Sequence, residues 1–202
     1  MKTPRLILAS TSPRRAELLR RAAIPFDIIA PPFDESSHRP RSDHPADIAL
    51  ELAVLKARSV AASLHEGLIL GCDTLAELDG RPIDKPADRA DAERILRALL
   101  GRTHRVVTAV CLIDAATART VTLTDAADVE MGEIDEAALA AYLDSGDWRG
   151  KAGGYNLDQM TGRWPITVAG DPATVVGLPM QRLIPLLRRI HPDLVPHTSS
   201  PA

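Results

Sequence analysis

Short apolar runs of strand length alternate with longer amphipathic stretches along most of this chain, and the two periods alternate too regularly for an all-helical or all-strand fold. A strand over Leu6–Ala9 gives way at Ser10–Ser12 to a helix reaching about Ala23, with Pro13 in the first turn, where no backbone N–H needs a partner. "PFDIIA" is the next strand, and the Pro-rich, charged stretch from Pro31 to Pro45 is a long loop. "PADIALELAVLKARSVAASL" then gives a helix of about five turns. "GLILGCDTLAEL" is a strand ending at Asp79-Gly80, a hairpin signal. Asp88 caps a helix that stops at Gly101, and "HRVVTAVCLID" pairs with "ARTVTLTDAADVEM" as a ribbon turning near Ala116. Asp135 caps a helix to Gly146, Lys151–Gln159 reads as a loop, and Pro179–Ile190 is the last helix. The pattern predicts an α/β class with helices packed on a sheet. Residues 191–202, with three prolines and no period, are expected to be a mobile tail.

The 202 residues suffice for one large domain or two small lobes without disulfide staples. Cys72 and Cys111 stand far apart in apolar runs, with no Cys-x-x-Cys spacing, and read as buried thiols of a reducing compartment. No apolar run approaches bilayer length and the first seven residues are too short for a signal peptide, so a soluble cytoplasmic protein with no membrane partner is expected. The net charge of −3 argues against nucleic acid as a partner. Of 24 cationic residues, 20 are Arg and only four are Lys, at 2, 56, 85 and 151. Lysine is a compact point charge on a flexible stem, so the internal lysines are candidates for chemistry that a guanidinium cannot do.

The first strand-to-helix junction, "LASTSPRRAEL", aims free N–H groups and the positive end of a helix dipole at one spot, and Arg14 and Arg15 add two charged forks suited to phosphate oxygens. Ser-Pro-Arg-Arg also resembles minor-groove binding tails, but here it occurs once, inside a folded junction of an acidic chain. Asp73 ends the buried run "LILGC", which delivers an acid from a rigid apolar strand to a cleft edge; the bland reading is a turn cap or an arginine partner. Asp34-Glu35 brings a second carboxylate, and two such acids with a triphosphate are the usual minimum for Mg²⁺. Lys56 lies one turn from both Leu52 and Val60 on an apolar stripe, where it must find an anion or reach water. Lys85 is held extended by Pro86, and Lys151 precedes a flexible Ala-Gly-Gly. His38 and His44 share a loop without a third metal ligand, and His104 is expected to face solvent. Trp148 and Trp164 suit packing better than base stacking.

Taken in order, Ser10, Ser12, Arg14, Arg15, Glu17, Glu35, Lys56, Asp73, Thr74 and Lys85 carry a resemblance. The segments "LASTSPRRAELL", "FDES", "LAVLKA", "GCDTLAELDGRPIDKP", "LLGRTHRVVTA", "KAGGY" and "VVGLP" are similar to those of the Maf family of nucleoside triphosphate pyrophosphatases, from residue 6 to about 190. The resemblance implies an elongated mixed sheet with flanking helices, two lobes around a central cleft, and a fold similar to inosine triphosphate pyrophosphatase. It implies hydrolysis between the α- and β-phosphates with a divalent metal cation, Mg²⁺ or Mn²⁺, and a dimer is an expectation from the resemblance and from the commonness of two-fold pairs. Asp73 matches the catalytic acid, here the base for water, close to the metal, and Glu35 a metal-binding acid. Arg15, Lys56 and Lys85 match the cations on the triphosphate, with Ser10, Ser12, Arg14 and Thr74 as further substrate contacts.

The marks of base preference are mixed. Ser-Pro-Arg-Arg and Asp73-Thr74 are similar to the branch acting on dTTP and UTP, whereas "DPATVVGLP" leans toward the 7-methyl-GTP branch. Where the pyrimidine branch has Tyr-x-x-Gln, this chain reads Tyr155-Asn156-Leu157-Asp158-Gln159, an acid in the reading position and the glutamine displaced by one. Arg14 and Thr74 favour dTTP and UTP, with Asp158 and Gln159 expected at the base; 7-methyl-GTP and a non-hydrolysing nucleotide-binding regulator of cell division stay as alternatives.

Overall fold

The computed structural model describes residues 5–196. Seven strands form one mixed sheet: β1 (Leu6–Ala9), β2 (Phe26–Ile28), β3 (Leu68–Leu78), β4 (Arg81–Ile83), β5 (Arg102–Asp114), β6 (Thr120–Met131) and β7 (Ile166–Ala169). Their order is β2-β1-β3-β5-β6-β7, with β4 hairpinned onto β3. The first three strands are parallel and the rest antiparallel. Because β1 leads outward to β2 and the chain then passes back across β1 to β3, right-handed crossovers put α1 (Pro13–Arg21) and α2 (Pro45–Ala61) on opposite faces. The order therefore reverses between β1 and β3, and in sheets of this kind a ligand crevice opens outside the carboxyl end of the strands at such a point.

The alternation along β3 sorts the core. Leu68, Leu70 and Cys72 pack with Val110 and Leu112 against α1 and α7 (Met180–Ile190). Farther along the same face, Ala76 and Val106 join a second cluster with α3 (Arg89–Leu99) and α4 (Glu136–Ser145). Ile69, Ala109 and Cys111 point the other way, onto Ala49, Ala53, Ala57 and Val60 of α2. One continuous sheet runs through both clusters, and each is closed by its own helices. Gly71 allows the closest approach of α2 to the sheet: a Cβ there would stand 2.7 Å from the Ala57 nitrogen.

Most predicted elements stand close to their expected bounds, and three were not foreseen. Strand β7, helix α6 (Pro172–Val176) and the single turn α5 (Leu157–Met160) are each too short to display a period. The expected tail is corrected as far as Pro196: Pro192–Leu194 form a 3₁₀ turn, and Leu194 and Val195 are buried in the cluster beneath α7. Residues 197–202 lie outside the described residues. His104 is also corrected. It is buried, not solvent-facing, because its position on β5 shares the face of Val106 and Val110. Both tryptophans pack in the second cluster, and both cysteines are buried thiols. Among the described residues no helix is long and apolar enough to cross a membrane.

Candidate active site

The pairing of β3 is broken along one edge. β1 accompanies it only to Gly71, opposite Ala9, and β4 joins it only from Ala76, so Cys72–Leu75 have no strand partner on that side. Side chains from both faces of the sheet reach round this open edge into a cleft of about 500 Å³. Ser10, Ser12, Arg14, Arg15, Glu35, Lys56, Asp73, Thr74 and Lys85 all line it. So does Lys151, which puts three of the four lysines in one cleft; the fourth, Lys2, lies outside the described residues.

On the α2 face the arrangement is ionic. The Lys56 ammonium lies 2.5 Å from Asp73 Oδ1 and 2.6 Å from Glu35 Oε2, and the lysine side chain is only 12% exposed. Burial alone would lower the Lys56 pKa, but the two carboxylates outweigh it and raise the pKa above the ordinary lysine value. Burial likewise opposes ionisation of Glu35, and Lys56, Lys85 and Arg15 overcome it and hold its pKa below the usual glutamate range. Lys85 Nζ stands 3.7 Å from Glu35 Oε1 and is more than half exposed. Glu35 is delivered by a tight local turn, in which the Ser36 N–H and hydroxyl both donate to Asp34 Oδ1. The same loop is tied to α2 where Glu51 accepts from the Arg41 N–H and pairs with His38, so His38 serves as an anchor. Asp73 Oδ2 makes no hydrogen bond among the described residues, which leaves one oxygen of this buried acid for the cleft.

On the other face a guanidinium is held by neutral partners only, and the arrangement is geometrically fixed. Arg15 donates from Nε to the Gly177 carbonyl, from Nη1 to Ser10 Oγ and from Nη2 to Thr74 Oγ1, each at 3.1 Å. Thr108 donates its only hydroxyl proton to the Thr174 carbonyl at 2.7 Å, so at its 2.9 Å contact with Thr74 it can only accept. Thr74 therefore spends its proton on Thr108 and accepts from Arg15. The relay fixes the guanidinium plane and leaves its remaining N–H groups for a ligand. Gly177, at φ 131°, lies so close that a Cβ would stand 3.1 Å from Arg15 Nε. Helix α1 begins without a side-chain cap and with no acid in its first turn, but with Arg14 and Arg15 there. Cations are unfavourable at a helix N-terminus unless an anion joins them. Burial, then repulsion from Arg15, lowers the Arg14 pKa.

Asp158 and Gln159, expected at the base, stand apart from the other site residues. Both are exposed and neither lines the cleft. Gln159 Oε1 accepts from Lys151 at 3.1 Å, and Asp158 bears only electrostatically on Arg14. Asn156 lines the cleft in their place, beside Tyr155, whose hydroxyl is 2.7 Å from His104 Nε2. Thr108 and Gly177 were also missed as functional positions; the hydroxyl of a β-strand threonine and a loop carbonyl carry no distinctive sequence signal, although Gly177 lies inside "VVGLP".

As an oxygen-only donor set, Glu35 and Asp73 suit a hard divalent cation: both reach the same point, now taken by the Lys56 ammonium. Among the described residues no group of three His, Cys, Asp or Glu side chains converges, so a cation there would draw its other ligands from substrate oxygens and water.

The sequence matches the family described as Maf-like protein over residues 5–190. A relative from Koribacter versatilis, named dTTP/UTP pyrophosphatase, is 39% identical over 188 residues, covering 91% of this chain and 93% of that protein. A second, from Symbiobacterium thermophilum and of the same name, is 37% identical over 182 residues, covering 90% and 92%. A nucleoside-triphosphatase / dITP/XTP pyrophosphatase structure from Mycobacterium abscessus superposes with a TM-score of 0.42 at 19% identity, covering 64% of this chain and 75% of that one. With the family's match running through every residue that lines the cleft, this chain belongs to the Maf-like proteins.

Proposed function

We propose that this Maf-like chain is a nucleoside triphosphate pyrophosphatase acting on dTTP and UTP, which opens the anhydride between the α- and β-phosphates to release a nucleoside monophosphate and diphosphate. The names of its relatives support the reaction class and the bases. The observation that carries the chemistry is the buried Asp73, one oxygen fixed by Lys56 and the other free toward a cleft lined by Arg15, Lys56 and Lys85. In this reading Asp73 Oδ2 accepts the proton of the attacking water. The water oxygen bonds to phosphorus, the bridging P–O bond breaks, and its electron pair leaves on diphosphate. Arg15, already aligned by Ser10, Thr74 and Gly177, binds phosphate oxygens at no cost in reorganisation, and Lys85 offers a mobile charge to the leaving group. Glu35 and Asp73 would hold a divalent cation, which when bound neutralises phosphate oxygens.

The test is diphosphate release by the purified protein and by Asp73→Asn. The expected variant folds, since the amide is isosteric and Lys56 keeps Glu35, and loses roughly 10³-fold or more in kcat. Ordinary turnover in Asp73→Asn would remove Asp73 from the mechanism. Nucleotide binding without diphosphate release in the parent protein would favour a regulator instead.

A further inference from the structure

The two walls of the cleft differ. Opposite the ionic face, the wall is apolar: Ala76 and Val106, paired across β3 and β5, with Val175, Val176 and Leu157 beside them. Asn156 stands in this wall between two anchored neighbours, Tyr155 held by its hydroxyl to His104 and Leu157 buried in the core. Its backbone carbonyl accepts from the Gln159 and Met160 N–H groups, which fixes where the side chain starts. The side chain is half-buried, and its amide makes no hydrogen bond with any described residue. A polar group held in place on an apolar wall without a protein partner is what a ligand-recognition position requires.

We infer that Asn156 reads the base: its carbonyl oxygen accepts from the N3–H of uracil or thymine and its NH₂ donates to a flanking carbonyl oxygen, while the apolar wall takes the ring and the 5-methyl group. The inference rests on the triphosphate reading and adds the residue that selects the base. Turned over, the same amide matches cytosine, and unturned it can also meet the N1–H and O6 of guanine, so Asn156 fixes which edge is read and the apolar wall must exclude the larger purine. A carboxylate at this position would offer two acceptors, which suit the adjacent N1–H and N2–H₂ donors of guanine and repel the O4 of uracil. Asp158, exposed and outside the cleft, cannot exert that preference where it stands.

The experiment compares kcat/KM for dTTP, UTP, GTP and 7-methyl-GTP in the parent, Asn156→Asp and Asn156→Ala. Asn156→Asp lowers the two pyrimidine values by on the order of tenfold to a hundredfold and raises the guanine-to-uracil ratio by more than that, because one contact is lost and another gained. Asn156→Ala lowers the pyrimidine values about tenfold with no gain for guanine. If both variants keep the parent ratio within about twofold, a shift too small for any lost hydrogen bond, Asn156 is not the reader, although diphosphate release from dTTP would still uphold the proposed function. Equilibrium binding of dTMP and GMP gives a readout free of turnover: the same inversion of preference is expected, and equal ratios in all three proteins overturn the inference even if no triphosphate is hydrolysed. Should Asn156→Asp fail to fold, the pyrimidine values of Asn156→Ala decide: a kcat/KM for dTTP and UTP within about twofold of the parent overturns the inference.

Discussion

Neighbouring residues on one strand, Asp73 and Thr74, open onto two regions of opposite character. Asp73 faces α2, where one ammonium lies within hydrogen-bond distance of two carboxylates. Thr74 faces Thr108 and Arg15, where hydroxyls and carbonyls hold the arginine in one plane. The ionic region can change its partners, because Lys56, Glu35 and Asp73 each have a charge that an incoming polyphosphate or cation can take over. The neutral region cannot, because both threonine hydroxyl protons and three of the Arg15 N–H groups already have fixed acceptors. One region therefore supplies reactivity and the other supplies position, and the open edge of β3 is what lets a single ligand meet both.

Removing the charge at the centre of the ionic region breaks this contrast most severely. In Lys56→Met, Asp73 loses its cation while Glu35 keeps only the exposed Lys85, and leaving a buried acid unpaired costs about 3–5 kcal/mol. For a chain of 202 residues the melting temperature falls by on the order of 10 °C. Diphosphate release from dTTP falls by roughly 10³-fold, since Lys56 both holds Asp73 and faces the phosphates. Lys56→Arg restores neither, because a planar fork does not fit where a compact ammonium sits between two oxygens at 2.5 and 2.6 Å. Full activity in Lys56→Arg would show that only the charge matters.

Acid separates the two regions by pH window. His104 lies on the neutral face, and burial lowers its pKa from 6.5 to about 4. Its folded form stays neutral while the unfolded chain takes up a proton, so its stabilisation is complete above about pH 6.5 and is lost as pH falls toward 4, roughly 3 kcal/mol in all. Glu35 has a depressed pKa too, but its contribution is lost only below the ordinary glutamate value of 4.5, and that of Lys56, whose pKa is raised, only above 10.5. Thermal melts between pH 7 and 4.5 are expected to fall by several degrees in the parent and to flatten in His104→Gln, which keeps a polar partner for Tyr155 without a titrating ring. An equal fall in both proteins would place the acid sensitivity in another group.

Much of the ionic region was legible in the sequence, because its residues obey rules that act locally. Lysine on an apolar helical stripe and an acid at the end of a buried strand are both costly, and each cost is met here by the other. The scarcity of lysine pointed to the same cleft. The neutral region was mostly illegible. His104 looked like a strand-start residue at the surface, yet it is buried because Tyr155, 51 positions on, packs edge-on against its ring, a long-range fact. Asp158 and Gln159 were placed by counting from Tyr155, but the turn at Leu157–Met160 rotates both out of the cleft and leaves Asn156 inside. Gly177 reaches Arg15 across 162 positions of chain, beyond any periodicity.

The smallest expected effect is also the one that most directly tests whether position and reactivity are separable. Thr108→Val keeps the shape of the side chain but leaves the Thr174 carbonyl without its donor and the Thr74 proton without its acceptor. Loss of a buried donor costs about 1–3 kcal/mol, a fall of roughly 5 °C in melting temperature. Arg15 keeps its bonds to Ser10 and Gly177, so the guanidinium stays in the cleft, but a Thr74 hydroxyl that is free to turn no longer fixes its plane. Weaker gripping of phosphate oxygens before the reaction raises KM about tenfold with kcat changed by less than about threefold, the signature of lost uniform binding. Thr108→Ser, which retains the hydroxyl, returns KM to the parent value. A fall in kcat as large as the rise in KM would mean that the relay also acts on the reacting phosphate, and the division between the two sides of β3 would then be one of chemistry shared rather than chemistry and support.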